Sequence, residues 1–291
     1  MINIDLPEWS EYELLDTGNG RKLERFGKYI LNRIETQASW RQTLSEDEWH
    51  KADAVFKKND DKHGEWTLRN KIPEHWSLQF EGMKLILRLT PFGHVGIFPD
   101  QSNQWDWIYD KIKAAGRPIN ALSLFTYTGA STFAAAAAGA NVVHVDASKP
   151  AITWARDNQN ASNLSTKPIR WIPEDAMKFV KREVRRGSRY DAIIMDPPKF
   201  GRGPQGEVWK FEENFPELLD YCRQILSDQP LFILTTAYSI PVSSITLSNM
   251  VADATRKLKN GTIEYGELAL KQKSNSRILP TAIYCRWESN L

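Results

Sequence analysis

Residues 193–209 read IIMDPPKFGRGPQGEVW, an apolar run that meets an acid, two prolines, a lysine and a glycine-rich segment. Ile193, Ile194 and Met195 have the character of a parallel strand covered on both faces. Pro197 and Pro198 cannot donate to a ladder, so that strand must stop near Asp196. A carboxylate is thereby placed at the carboxyl end of a strand, where open α/β sheets take their ligands. There Asp196 and the Pro197 carbonyl could accept hydrogens from an amine, and Lys199 could meet a phosphate or carboxylate. A strand-ending turn with a solvated acid is the plain alternative.

Two further acids repeat this placement. After the strand ALSLF comes Phe125 to Gly139, FTYTGASTFAAAAAG. A dinucleotide fingerprint would need three glycines here, to bring a pyrophosphate against a helix N-terminus. The turn has Gly129 alone, which suits a nucleoside ligand without a pyrophosphate, such as S-adenosylmethionine. The next strand, NVVHV, ends in Asp146, well placed to accept both ribose hydroxyls. Ser148 is the expected cap of the following helix, with Pro150 in its first turn. A third strand, IRWI, leads to PEDA, where Asp175 could accept an adenine amino group.

These residues need a scaffold, and the chain supplies an alternating one. From residue 116 the strand candidates are ALSLF, NVVHV, IRWI, DAIIM, LFILT, TIEYGEL and AIYCRW, with helical segments between the first five. That alternation predicts an α/β fold, a Rossmann-like seven-stranded, mostly parallel sheet. The last two strands lack an intervening helix and predict an antiparallel hairpin at one edge. Residues 1–115 are different in texture, rich in Trp, with strand-like runs YILNRI, WTLRN, SLQF, KLILRL and HVGIF. The stretch SEDEWHKADAVFKK, with Ser45 as cap and Glu48 three residues on, predicts a helix between them. A small α+β N-terminal domain over 1–115 and a Rossmann-like domain over 116–291 follow. The tryptophans are expected mainly to fill cores.

Bulk properties narrow the function. With 291 residues and a formal charge of +2, the chain is not a general polyanion binder, so any nucleic-acid contact must be local. Cys222 and Cys285, the two cysteines, suit neither a disulfide framework nor a metal site. The N-terminus carries acids and no basic secretory region, and no run reaches the length of a membrane span. A cytoplasmic, soluble protein without a membrane partner is the expectation.

LSLFTYTGAST, VVHVDAS, PEDAMKF and YDAIIMDPPKF, in that order, resemble class I S-adenosylmethionine-dependent methyltransferases. More narrowly they are similar to the group containing the bacterial large-subunit rRNA methyltransferases that make 5-methylcytosine. GIFPDQ, residues 96–101, is similar to an element those enzymes carry ahead of the catalytic domain. The resemblance implies that Phe125, Tyr127, Thr128 and Gly129 line the methionine moiety, Asp146 the ribose and Asp175 the adenine. Ala130, Ala147, Ser148, Ala176 and Phe98 are implied as further cofactor-binding residues. Asp196 and Pro197 would face the methyl group, and Gln101 would close over the cofactor. For Gln101 the alternative is that its neighbour Asp100 simply caps the helix QSNQWDWIYDKI.

The acceptor is set by what else is present. Carbon methylation of a pyrimidine requires prior addition of a thiolate to the ring. In the cytosine-modifying relatives that cysteine follows the fifth strand. Here the stretch is LTTAYSIPVS, and Tyr238 and Ser239 stand in its place. Amino-directed enzymes place an aromatic residue directly after the two prolines; here Lys199 stands there and Phe200 follows. The loop GRGPQGEVW has the make-up of a movable cover. MKFVKREVRRGSR sets Lys178, Lys181, Arg182, Arg185, Arg186 and Arg189 along one helix, and Lys271, Lys273 and Arg277 lie near the C-terminus. These offer phosphate contacts or a solvated face. The expectation is a methyltransferase for RNA, ribosomal RNA foremost, working without a cysteine nucleophile. A protein or small-molecule methyltransferase, and a non-catalytic nucleic-acid-binding module that kept the pocket, are the competing readings.

Overall fold

The computed structural model describes residues 3–59, 64–258 and 260–290. They divide into two compact units, one of residues 3–5, Asn103–Leu268 and 282–290, the other of Leu6–Ser102 and Ala269–Thr281. In chain order the first half holds β1 (Asn3–Asp5), β2 (Tyr12–Gly18), β3 (Arg21–Phe26), β4 (Tyr29–Ile34), α1 (Glu46–His50), β5 (Ala54–Lys58), β6 (Gly64–Leu68), β7 (Trp76–Phe80) and β8 (Met83–Leu87). Then follow α2 (Ser102–Ala114), β9 (Asn120–Leu124), α3 (Ala130–Ala137), β10 (Asn141–Asp146), α4 (Lys149–Ala161), β11 (Ile169–Pro173), α5 (Ala176–Arg186) and β12 (Ala192–Met195). The remainder is β13 (Phe200–Arg202), β14 (Val208–Lys210), α6 (Phe211–Gln224), β15 (Phe232–Tyr238), α7 (Ser244–Thr255), β16 (Gly261–Lys271) and β17 (Ile278–Ser289).

In the larger unit, eight strands among the described residues run in the order β1-β16-β17-β15-β12-β9-β10-β11. The α/β class and the mostly parallel sheet agree with the sequence. β9, β10, β11, β12 and β15 are mutually parallel, and β17 pairs antiparallel with β15. The terminal strands do not form the edge, however. Asn3–Asp5 pairs in parallel with Gly266–Leu268 and becomes an eighth strand outside them. A three-residue strand carries too little pattern to be recognised from its sequence.

Apolar side chains of β9, β10, β12 and β15 meet Phe179, Phe211, Phe215, Leu218, Leu247 and Val251 from α5, α6 and α7 in one buried cluster. Five of the eight residues of α3 are Ala and the helix is buried along most of its length, so its backbone lies close to its neighbours. Ser148 and Asp175 cap α4 and α5 as their types require, accepting from the N–H groups of Ala151 and Lys178.

The smaller unit corrects several expectations. β2 to β6 form a five-stranded sheet and β7 and β8 a hairpin. Only Glu46–His50 of the expected long helix is helical, and Ala54–Lys58 is a strand paired with β4 and β6. The β-branched and aromatic Val55-Phe56 gains more from cross-strand packing than from a helix. HVGIF is not a strand, because Gly93 and Gly96 take left-handed φ of 83° and 92° and bend the chain. Unforeseen β2 and β3 join through Asn19-Gly20, both at positive φ, the turn that favours a tight hairpin. Asp100 caps no helix; its carboxylate accepts from the Thr281 hydroxyl at 2.9 Å. Trp49 is a core residue here, as Trp105 is in the larger unit.

Candidate active site

β9 leads on one side to β10 and β11, and the chain then returns to lay β12 and β15 on its other side. A crevice at the carboxyl ends of β9, β10 and β12 is the expected consequence of such a switch in strand order. Three of the sequence-predicted groups come together there. The Asp196 N–H donates to the Leu124 carbonyl at 3.1 Å, and the Phe125 N–H donates to the Val145 carbonyl at 3.0 Å, so the three strand ends are tied in series.

The turn after β9 is conformationally unusual. Phe125 and Tyr127 adopt φ of 60° and 48°, and Gly129 adopts 93°. Left-handed backbone at non-glycine residues costs free energy and persists where the surroundings fix it, often at ligand sites. The fixing groups are visible. Asp146 accepts from Tyr127 N–H at 3.2 Å through one oxygen and from Ser148 N–H at 2.8 Å through the other. Asn158 donates to the Thr128 carbonyl at 3.1 Å from α4. A methyl group added at Gly129 would lie 2.8 Å from the Phe133 ring, so no other residue fits this turn without a shift.

Beneath the turn lies a cluster that sequence reasoning missed. Ser123, Thr126, Thr132 and His144 are all buried. Ser123 Oγ lies 2.6 Å from Thr126 Oγ1 and 2.8 Å from Thr132 Oγ1, and Thr132 Oγ1 lies 2.8 Å from His144 Nδ1. Burial lowers the His144 pKa from 6.5 to about 3, so the ring is neutral. Its Nε2 has no hydrogen-bond partner among the described residues, which favours the tautomer that carries its proton on Nδ1. The only signal was a histidine inside an otherwise apolar strand.

Asp146 is half-buried, and burial raises its pKa against two lowering backbone hydrogen bonds. A carboxylate oxygen with one N–H bond retains capacity for a second donor. Asp175 is buried and spends Oδ1 on the Lys178 N–H at 2.9 Å as the cap of α5. Asp196 is half-buried, and its Oδ1 accepts from the Thr236 hydroxyl at 2.7 Å. Thr236 was not foreseen, since LFILTT reads simply as a buried strand. Pro197 is buried, whereas Lys199 is exposed. Phe98 and Gln101 belong to the smaller unit, in and just before the 3-10 turn Pro99–Gln101.

The segment expected to be a movable cover is a short antiparallel hairpin of β13 and β14. Trp209 is buried, donates to the Pro198 carbonyl at 2.7 Å and packs on Phe125 with ring centroids 4.9 Å apart. One indole thus links the two prolines to the turn after β9.

Residues 26–227 match the family model described as S-adenosylmethionine-dependent methyltransferase. The chain belongs to this family. It is 44% identical to a crystal structure of a SAM-dependent methyltransferase from Agrobacterium tumefaciens, with a TM-score of 0.94 over 98% of this chain and 93% of that one. A putative methyltransferase complexed with SAH, SMU.776, shares the fold at 18% identity and a TM-score of 0.73, over 95% of this chain and 75% of that one. Among curated proteins, the ribosomal RNA large subunit methyltransferase K/L of Alteromonas mediterranea is 28% identical over 65% of this chain and 28% of its own length. Methyltransferase K of Neisseria meningitidis is 26% identical over 63% of this chain and 50% of its own. The chain thus spans at most about half the length of these two curated relatives. The donor set suits the family's cofactor, S-adenosylmethionine: a half-buried carboxylate ends β10, and the turn after β9 lacks the glycines a pyrophosphate would need.

The methyltransferase family frames three further observations. No helix among the described residues is long and apolar enough to cross a membrane. The basic helix α5 is more neutralised than its sequence suggests. Lys178 pairs with Glu207, Lys181 with Glu217, Arg182 with Glu174 and Arg186 with Glu183. Cys222 and Cys285 are fully buried, and burial pushes the Cys285 thiol up to about 12 and the Cys222 thiol higher still.

Proposed function

We propose that this chain transfers the methyl group of S-adenosylmethionine to a nitrogen of an RNA base, ribosomal RNA foremost, with Asp196 acting on the acceptor and no covalent cysteine intermediate. The observation that carries this reading is the Asp196 carboxylate, fixed by Thr236 at the end of β12, beside the turn that Asp146 organises. The named rRNA substrates of the curated relatives support the choice of acceptor.

When bound, S-adenosylmethionine supplies an electrophilic methyl on a positively charged sulfur. In this reading Asp146 accepts the ribose hydroxyls and Asp175 the adenine amino group. Phe125, Tyr127, Thr128 and Gly129 surround the methionine portion, with Ala130, Ala147, Ser148 and Ala176 completing the cofactor pocket. Displacement at a sulfonium is in-line, so the main contribution of the protein is alignment. Asp196 and the Pro197 carbonyl accept hydrogen bonds from the attacking amine, which localises its lone pair, Asp196 takes the proton that the methylated nitrogen releases, and Lys199 meets a phosphate. A buried thiol held almost wholly protonated is a poor nucleophile, which supports a route without a cysteine adduct.

The test is incubation with S-adenosylmethionine carrying a tritiated methyl and unmodified large-subunit rRNA, followed by nucleoside mass spectrometry. An N-methylated nucleoside supports the proposal. A 5-methylpyrimidine, or covalent trapping by fluoropyrimidine RNA, overturns the non-covalent route, and label found only in protein or metabolite fractions overturns the acceptor.

A further inference from the structure

We infer that Tyr238 is the platform on which the acceptor base stacks; this rests on the RNA-base reading and adds to it the residue that holds the ring. β15 is buried along its length except at its last residue, Tyr238, which is 49% exposed. Strand alternation sets Tyr238 on the same side as Thr236, the residue whose hydroxyl reaches Asp196. Two residues advance the chain by about 6.6 Å. The phenol therefore stands one step beyond the Asp196 contact, toward the carboxyl edge where the ligand enters.

Its surroundings favour that use. The residue opposite Tyr238 on β17 is Ala282, whose side chain is a single methyl. Ser239 takes a left-handed φ of 54°, so the chain turns away at once and Tyr238 is the final side chain of the strand. A flat ring with few torsions loses little freedom when a base settles on it, and stacking tolerates any base because each has a π face. The aromatic residue missing directly after the two prolines is thereby supplied from the neighbouring strand.

The experiment compares the full chain with Tyr238→Ala, Tyr238→Leu and Tyr238→Phe, using unmodified transcribed large-subunit rRNA and tritiated S-adenosylmethionine. Loss of one stacked base predicts a fall of about tenfold or more in kcat/KM for RNA in the Ala and Leu variants, with Phe within about threefold of the parent. Affinity for S-adenosylhomocysteine and the melting temperature should be unchanged in all three, which a merely structural role would not allow. Wild-type kcat/KM in the Ala variant overturns the platform, as does an equal loss in Phe, which would point to the hydroxyl. If the parent itself leaves RNA unlabelled, the RNA-base reading fails and this inference falls with it; an active parent beside an unimpaired Ala variant overturns the platform alone.

Discussion

Two acids at strand ends, Asp146 closing β10 and Asp196 just after β12, are expected to behave differently when removed. Asp146 holds two backbone N–H groups in addition to its proposed ribose contacts. Asp146→Ala should therefore weaken S-adenosylhomocysteine binding by at least about tenfold, the value of a single charge-assisted hydrogen bond, measured by calorimetry. Because burial raises its pKa, affinity should also begin to fall on acidification at a higher pH than an ordinary aspartate would give. Asp196→Asn should leave that affinity within a few-fold and lower kcat by about a hundredfold or more, the scale of a lost acid–base group. Unchanged turnover would return the motif to a plain turn. Replacing both buried cysteines by Ala should preserve activity in a variant whose melting is normal; complete loss in a folded double variant would sink the non-covalent route.

At the scale of elements, the turn after β9 depends on packing as well as on its own sequence. Its left-handed residues are fixed from below by Ser123, Thr126, Thr132 and His144 and from the side by Trp209. Between pH 6.5 and about 3 the unfolded chain binds a proton that folded His144 does not, so stability rises with pH across that window. The contribution is complete above the unfolded value and is lost as pH falls toward the folded one. His144→Asn keeps a polar group near the Nδ1 position without titrating. Its melting temperature should decline less than the parent's between about pH 7 and pH 5, a measurement in which parallel slopes would refute the neutral buried ring.

The same contrast explains what was legible. Asp146, Ser148, Asp175 and Asp196 could be placed because each sits where a strand signal changes to a helix or proline signal. Thr236, Trp209 and His144 could not, since their partners lie on other elements and nothing local marks the meeting. In the smaller unit the helix expected through Phe56 failed because cross-strand pairing with Trp66 outweighs local capping at Ser45. The hairpin at Asn19-Gly20, by contrast, is marked locally, by a dipeptide that favours positive φ at both positions.

At the scale of the molecule, ligand linkage offers a global check. S-adenosylhomocysteine at a hundredfold excess over its Kd should stabilise the folded chain by about 2.7 kcal/mol. The accompanying rise in melting temperature should shrink in Asp146→Ala at the same concentration. An equal rise in both would locate the ligand elsewhere.

The pairing of Asn3–Asp5 with Gly266–Leu268 bears on how the larger unit comes to exist during synthesis. Its first strand leaves the ribosome roughly 260 residues before its partner, a wait of roughly 13 to 50 seconds at ordinary elongation rates. Through that interval the acid at Asp5 lacks Arg286 and the short segment has no ladder to join. The smaller unit has most of its strands available long before then. Closure of the outer sheet edge is thus a late event, imposed by chain order, and the free edge of the nascent sheet is the surface a chaperone would meet.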